Sequence, residues 1–192
     1  MTRFALVRHG QTDWNLAGRY QGQTDQPLNA AGLEQARQLA DHLNGRRFDA
    51  IYASSLQRAR ATAEVIARRL GLALNIDPRL KEVNLGEWEG LTVPEIKARY
   101  ADTWEARQTD PEHIPPPGGE TVVEVGERMV QAADEIAQRW PDGHVLVVAH
   151  GMALATLLAK AKHLPFAEAL RLIPDNAQLT EIEWRDGQPH TT

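Results

Sequence analysis

The chain predicts an α/β protein: a three-layer α/β/α sandwich around a mostly parallel central sheet, with one antiparallel strand at its edge. Three observations carry this expectation. Apolar runs alternate with amphipathic helical stretches along most of the 192 residues, the pattern of a sheet covered by helices on both faces. The run Val145-Leu146-Val147-Val148-Ala149 is apolar at every position, as suits a central parallel strand buried on both sides. The run Leu179-Thr180-Glu181-Ile182-Glu183-Trp184 instead alternates apolar and polar residues, which suits an edge strand.

Taken in order, Phe4–Val7 forms the first strand and runs directly into Arg8-His9-Gly10. Asn29 then caps a helix whose apolar stripe is Leu33, Ala36, Leu39, Ala40 and Leu43, stopped at Asn44-Gly45. Asp49–Ala53 is the second strand, and Ser55 caps the next helix. That helix carries Leu56, Ala59, Ala63, Ile66, Ala67 and Leu70 on one face and ends at Gly71. Leu72–Ile76 is the third strand. Thr121 and Glu124 have capping-box spacing ahead of Val122, Val125, Met129, Ala132, Ala133, Ile136 and Trp140, and Pro141-Asp142-Gly143 ends that helix. The strand His144–Ala149 and a helix from about Met152 to Ala161 follow. After the alternating run, Arg185-Asp186-Gly187 turns the chain out. An edge strand there is compatible with a monomer or a homodimer.

Residues 82–120 break the alternation. They hold Gly86, Gly90, Pro94, Pro111 and Pro115-Pro116-Pro117-Gly118-Gly119, with room for two short helices at Val93–Tyr100 and Ala101–Gln108. This reads as an insertion over one end of the sheet, within a single domain spanning 1–192, of the kind that shapes substrate pockets.

Composition narrows the chemistry. With 21 basic and 26 acidic residues the formal charge is −5, which favours neither nucleic acid nor an anionic membrane, so an anionic ligand must be held by local cations. There is no cysteine, hence no disulfide scaffold, thiol nucleophile or thiolate metal site. No signal-like or membrane-spanning apolar run occurs, and a cytoplasmic enzyme is the expectation.

Four segments carry candidate reactive groups. His9 and His150 each close an apolar strand and precede a glycine, so a parallel sheet delivers both to its carboxyl edge, where open α/β sheets place ligands. Histidine is a competent nucleophile near neutral pH, and Arg8 beside it offers a planar fork for phosphate. Arg58 falls in the first turn of its helix, where the dipole disfavours a cation unless an anion is held there. Arg60 sits there too and reads as an ordinary exposed arginine. Glu82 closely follows the third strand and is a carboxyl group able to reach the same edge for proton transfer.

Together Leu6-Val7-Arg8-His9-Gly10-Gln11-Thr12, Asn15, Ser54-Ser55-Leu56-Gln57-Arg58-Ala59, Glu82 and Ala149-His150-Gly151 resemble the histidine phosphatase superfamily, also called phosphoglycerate mutase-like, from residue 3 to about 185. The resemblance implies that His9 forms a phosphohistidine and that Arg8, Arg58 and His150 surround the phosphoryl group. Asn15 is then a further donor, Glu82 the proton donor and later base, and Gln21-Gly22 substrate contacts beside the phosphate pocket. Gly10 and Gly151 allow close backbone approach. Such a site uses guanidinium and imidazolium groups and no metal or other cofactor. It calls for a neutral His9 and a protonated His150, two histidines with pKa values pushed apart.

Within the superfamily, mutases hold phosphoglycerate and a 2,3-bisphosphoglycerate cofactor, and so need cations beyond the phosphate pocket. Residues 92–120 offer only Lys97, Arg99 and Arg107, and Val83-Asn84-Leu85-Gly86 replaces the Arg-His-Tyr-Gly run of glycolytic mutases. The expectation is a phosphomonoesterase acting on a small phosphorylated metabolite, with a mutase as the alternative. A non-catalytic phosphate-binding module is a remote alternative, and a metal hydrolase on His9 and His150 lacks ligand spacing. Trp14, Trp88 and Trp104 stay open between substrate wall and ordinary packing.

Overall fold

In a computed structural model, which describes residues 1–185 and 188–190, the chain runs β1 (Thr2–Arg8), α1 (Asp13–Leu16), α2 (Ala30–His42), β2 (Ala50–Ala53), α3 (Gln57–Leu70) and β3 (Leu74–Ile76). It continues through α4 (Val93–Arg99), α5 (Ala101–Thr109), α6 (Val122–Arg139), β4 (His144–Ala149), α7 (Gly151–Ala161), β5 (Leu179–Arg185) and β6 (Gln188–His190). The strands form one sheet in the order β3-β2-β4-β1-β5-β6. β1 to β4 pair in parallel, whereas β5 runs antiparallel to β1.

Strand alternation sorts the core into two halves. Phe4, Leu6, Tyr52, Val145 and Val147 face α6 and α7, while Ala5, Val7, Ile51, Leu146 and Val148 face α2 and α3. β4 is buried at all six positions, which accounts for its continuously apolar sequence. The expected three layers are therefore present, with helices on both faces of the sheet.

Three details differ from expectation. The alternating strand β5 lies inside the edge, because β6 pairs antiparallel along its outer side. Alternation records that one face is wet, with Ile182 and Trp184 buried and Glu181 exposed, and says nothing about the number of neighbours. The turn expected at Asp186-Gly187 lies outside the described residues. Ser55 does not cap α3: Leu56 is the N-cap, and the Gln57 N–H is taken by Asp25 Oδ1 at 2.7 Å. Leu33, assigned to the buried stripe of α2, is 37% exposed.

In the first turn of α2 the buried residue is Gly32 instead. Asn29 caps this helix as expected, its Oδ1 accepting from Gly32 N at 2.9 Å. The segment after β1 lies directly on that turn. A Cβ on Gly10 would strike the Gly32 carbonyl, and one on Gly32 would strike the backbone of Gln11. Close glycine-to-backbone packing thus seats the end of β1 on α2.

The β1–β4 register, Arg3↔His144 through Arg8↔Ala149, has a direct consequence for function. His9 and His150 each stand one residue beyond the last registered pair and leave the sheet side by side.

Gly32→Ala should lower stability by roughly 1–3 kcal/mol, the usual cost of overpacking a rigid contact. The measurement is the urea midpoint, and an unchanged midpoint would show that the loop is not seated on α2 in this way.

Candidate active site

The two histidine rings lie with centroids 5.1 Å apart, and both are buried. His9 Nδ1 is 2.7 Å from the Gly10 carbonyl oxygen. A carbonyl only accepts, so we assign the ring proton to Nδ1, which leaves a lone pair on Nε2. The following backbone is held as well: Gly10 N donates to Thr62 Oγ1 (3.1 Å), whose hydroxyl donates to the Arg58 carbonyl (2.8 Å). His150, the N-cap residue of α7, has extended backbone. Its Nε2 is 2.8 Å from Ser54 Oγ. With the Ser54 hydroxyl proton assigned to that contact, the His150 ring proton sits on Nδ1. That buried atom has no hydrogen-bond partner among the described residues.

Arg58 is 1% exposed. Its Nη1 and Nη2 donate to the carbonyl oxygens of Thr24 (2.9 Å) and Gly22 (2.7 Å). Arg8 Nη1 donates to the Pro174 carbonyl at 2.7 Å. The Nε atoms of both arginines are buried and have no hydrogen-bond partner among the described residues. Three such donors thus come from β1, α3 and the residue after β4; the two arginines share the cleft with His9, and the His150 ring lies 5.1 Å from the His9 ring. A buried unsatisfied donor costs about 1–3 kcal/mol, and such groups call for an acceptor.

Glu82 completes the group. Its Oε1 accepts from Val83 N (2.9 Å) and Ala153 N (3.1 Å), and its Oε2 from Met152 N (3.2 Å). The carboxylate therefore caps the first turn of α7, immediately after His150, and uses N–H groups that a helix start leaves free.

These side chains, apart from the fully buried His150, line a cleft of about 400 Å³ under residues 82–120. Arg8, His9, Arg58 and Glu82 are among its walls, as are Asn15, Gln21, Gly22 and Gly151. Asn15 Oδ1 accepts from Thr12 N at 3.0 Å in the cap of α1, which leaves its amide nitrogen as a donor. Gln21 Oε1 accepts from the Thr12 hydroxyl at 2.9 Å. Gly22 has φ +53, and a Cβ there would collide with Glu89. A Cβ on Gly151 would stand 3.0 Å from Ile173 Cγ2 and 3.5 Å from Arg8 Cζ, so glycine leaves Arg8 its place. Trp14, Trp88 and Trp104 all line the cleft. Arg60 is exposed and pairs with Glu64 at 2.9 Å.

Several contributors leave little trace in the sequence. Glu89 accepts from Gln23 N (2.8 Å), Thr24 N (2.9 Å) and the Thr24 hydroxyl. It thereby fixes the loop whose carbonyls hold Arg58. Arg128, on α6, donates to the carbonyls of Arg79, Lys81 and Glu82 and to the Glu120 carboxylate, which fixes the segment carrying Glu82. Asn176 Nδ2 donates to the His9 carbonyl at 3.0 Å. The anion expected at the start of α3 is the protein's own Asp25. Glu89, Arg128 and Asp25 act through backbone groups far away in sequence, so spacing gives no sign of them. The tandem Trp88-Glu89-Gly90 was the available clue for the first.

Electrostatics correct one expectation. Burial and the Arg58 charge push the His9 pKa well below the usual histidine value, with Arg8 adding to the effect and the Gly10 hydrogen bond opposing it. His150 is pushed down as well, by burial and by Arg58, His9, Arg128 and Arg8. The two histidines are not held in opposite protonation states. Both share one buried, cationic environment, and both are neutral at neutral pH.

The strand-end histidines, the two guanidiniums and the capping carboxylate thus come together at one edge of a doubly covered α/β sheet. The chain matches the model of the histidine phosphatase superfamily (branch 1) over residues 4–192, and it belongs to that family. It is 37% identical to the Bacillus subtilis (strain 168) protein named Uncharacterized phosphatase PhoE over 187 residues, covering 97% of this chain and 90% of that one. Against the Yersinia pestis (strain Pestoides F) protein named Probable phosphoglycerate mutase GpmB the identity is 35% over 186 residues, covering 97% and 86%. Among solved structures, a mycobacterial glucosyl-3-phosphoglycerate phosphatase in complex with VO3 superposes with a TM-score of 0.88 at 35% identity, covering 98% of this chain and 95% of that one.

Two histidines kept neutral by the fold make stability depend on pH in one direction. Below about pH 6.5 the unfolded chain binds protons that the folded site rejects, so the unfolding free energy should fall as pH drops from 7 to 5. Each such histidine contributes up to about 1.4 kcal/mol per pH unit. Urea melts across this range should show a shallower slope for His150→Gln by about one histidine's share. Equal slopes would place His150 outside the cationic environment.

Proposed function

We propose that the chain is a phosphomonoester hydrolase that acts on a small phosphorylated metabolite through a phosphohistidine on His9. The observation that carries this reading is the set of buried donors without partners among the described residues, Arg8 Nε, Arg58 Nε and His150 Nδ1, contributed by the segments that meet at His9, whose Nε2 carries the ring lone pair. A phosphoryl group supplies the oxygen acceptors that these donors lack. Membership of a family whose members act on phosphate esters supports the same reading.

The reaction then follows from charge and position. Neutral His9 attacks phosphorus through Nε2, and the bond from phosphorus to the ester oxygen breaks. Arg8 and Arg58 stabilise the charge spread over the equatorial oxygens. A dianionic phosphoryl group beside His150 offsets the cations that hold its pKa down, and the ring then donates from Nδ1. Glu82 receives a proton from solvent as the ester binds and delivers it to the departing alkoxide. In the second half Glu82 takes a proton from water, whose oxygen attacks phosphorus as the bond to His9 Nε2 breaks. Phosphate and the regenerated histidine result. Asn15, Gln21, Gly22 and Gly151 shape the phosphate end of the cleft. The sequence of steps uses protein groups alone. Among the described residues no cluster of three or more His, Asp or Glu side chains is disposed to hold a metal.

The GpmB-type relative raises the mutase reading. Against it, Arg107 is the member of the Lys97, Arg99 and Arg107 set that lines the cleft, whereas Lys97 stacks over the Trp104 ring at 5.3 Å. A second phosphate would meet one cation where a mutase needs several.

The enzyme should hydrolyse p-nitrophenyl phosphate in EDTA and be inhibited by vanadate, with phosphoglycerate mutase activity assayed beside it. Complete loss of turnover on chelation would overturn the metal-free route, and dominant mutase activity would reverse the choice of branch. His9→Ala should abolish turnover with the circular-dichroism melt retained, and residual wild-type turnover would remove His9 as nucleophile.

Glu82→Gln should slow alkyl phosphates by at least about tenfold more than p-nitrophenyl phosphate, because a poor leaving group depends on protonation. An equal loss on both substrates counts against an acid role for Glu82.

A further inference from the structure

The carboxyl ends of β2, β4 and β1 place three residues in one row: Ser54, His150 and His9. β4 lies between the other two strands, with Ala53 registered against Val148 and Arg8 against Ala149. The ladder continues past these pairs. Ser54 N donates to the Val148 carbonyl at 3.1 Å and His9 N to the Ala149 carbonyl at 3.0 Å, so the backbone of β4 holds both neighbours of His150. Ser54 and His150 are each 0% exposed. Their contact, 2.8 Å from Ser54 Oγ to His150 Nε2, is therefore shielded from water.

A serine hydroxyl has one proton to give and two lone pairs to offer. One lone pair is taken by Leu56 N, which donates to Ser54 Oγ at 3.2 Å. A serine that did no more than close the turn into α3 would be satisfied by that bond. The hydroxyl proton is left for His150 Nε2, the acceptor at hydrogen-bond distance. In water the imidazole proton is found more often on Nε2, whereas in a protein the hydrogen bond made by one ring nitrogen decides what the other carries. A buried donor at Nε2 reverses the preference of the free ring.

We propose that Ser54 is the positioning residue of His150: its hydroxyl proton occupies the Nε2 lone pair, so that the ring proton stays on Nδ1 and is offered to the phosphoryl group. The inference rests on the phosphatase reading of the same site. Without the hydroxyl, the neutral ring would carry its proton on Nε2, and a lone pair at Nδ1 would meet the phosphoryl oxygens. A ring carrying both protons also needs Ser54, whose second lone pair then accepts from Nε2–H. Alanine serves neither form, and a buried N–H without a partner is costly.

Nitrogen NMR of isotope-labelled histidine rings reads the tautomer directly, because the protonated nitrogen and the lone-pair nitrogen resonate far apart. The His150 signal is the one lost in His150→Gln. In the ligand-free wild-type protein at neutral pH it should report Nδ1–H, and in Ser54→Ala it should report Nε2–H with the circular-dichroism melt still cooperative. Vanadate should inhibit Ser54→Ala about tenfold or more weakly than wild type, the size of one charge-assisted hydrogen bond. Should the alanine variant not fold, Ser54→Gly, which also removes the hydroxyl, is read in its place. A wild-type His150 with its proton on Nε2 overturns the proposal, and so does an Nδ1–H form that survives the loss of the hydroxyl. The tautomer is read without substrate, which separates the two levels. Turnover of p-nitrophenyl phosphate with the His150 proton on Nε2 defeats only the role of Ser54, whereas no turnover of any ester defeats the phosphatase reading beneath it.

Discussion

Two guanidinium groups, Arg58 buried and Arg8 partly buried, anchored by carbonyl oxygens rather than carboxylates, are the constraint on which the rest of the site depends. Gly22 and Thr24 hold Arg58, and Pro174 holds Arg8. A carbonyl fixes the geometry of a guanidinium without cancelling its charge, so a positive field persists at the end of β1. Ion pairing at contact distance would have quenched it. Burial works against both charges. Glu82 and Asp175 offset this for Arg8, and Glu82, Asp25 and Glu89 do so for Arg58. The same field, together with burial, keeps His9 neutral and its Nε2 available.

The carboxylates near these arginines are committed to backbone N–H groups. Glu82 takes the first turn of α7, Asp25 the first residue of α3, Glu89 the loop at residues 22–24, and Glu120 accepts from Asn84 N at 2.7 Å. Each therefore holds a segment in place, while the charges of Glu82, Asp25 and Glu89 act on the arginines over a distance. Arg128 does the reciprocal task with carbonyls, tying residues 79–82 to α6. Loops thus gain the positional definition that helices and strands have from their own hydrogen bonds. A phosphoryl-transfer site needs that definition, since positioning and electrostatics supply most of its catalysis.

Legibility in the sequence followed the range of the interactions concerned. β4 could be read because burial on both faces leaves a purely apolar run, and α6 because a capping box and its stripe lie within one segment. His9 and His150 were visible as polar residues closing apolar strands ahead of glycines. Glu82 could be singled out only with the family pattern, since its partners at Met152 and Ala153 lie about seventy residues further on. Ser55 looked like the cap of α3 because a local candidate was at hand, but Asp25 reaches that helix across the fold. The alternation of β5 suggested an edge, but the second neighbour β6 is invisible to a pattern that reports only which face is wet.

By itself the sequence determined the layered α/β architecture, the delivery of two histidines to one sheet edge, and the family to which the chain belongs. These depend on periodicity and on residue type at strand ends, both local properties. The tertiary structure alone decided which donors are left without partners among the described residues and that both histidines are driven to the neutral form. Those properties are sums over burial and charge contributed by segments distant in the chain. The weak Arg8-His9-Gly10 signal acquires its chemistry only once the fold has enclosed it with Arg58, Glu82 and His150.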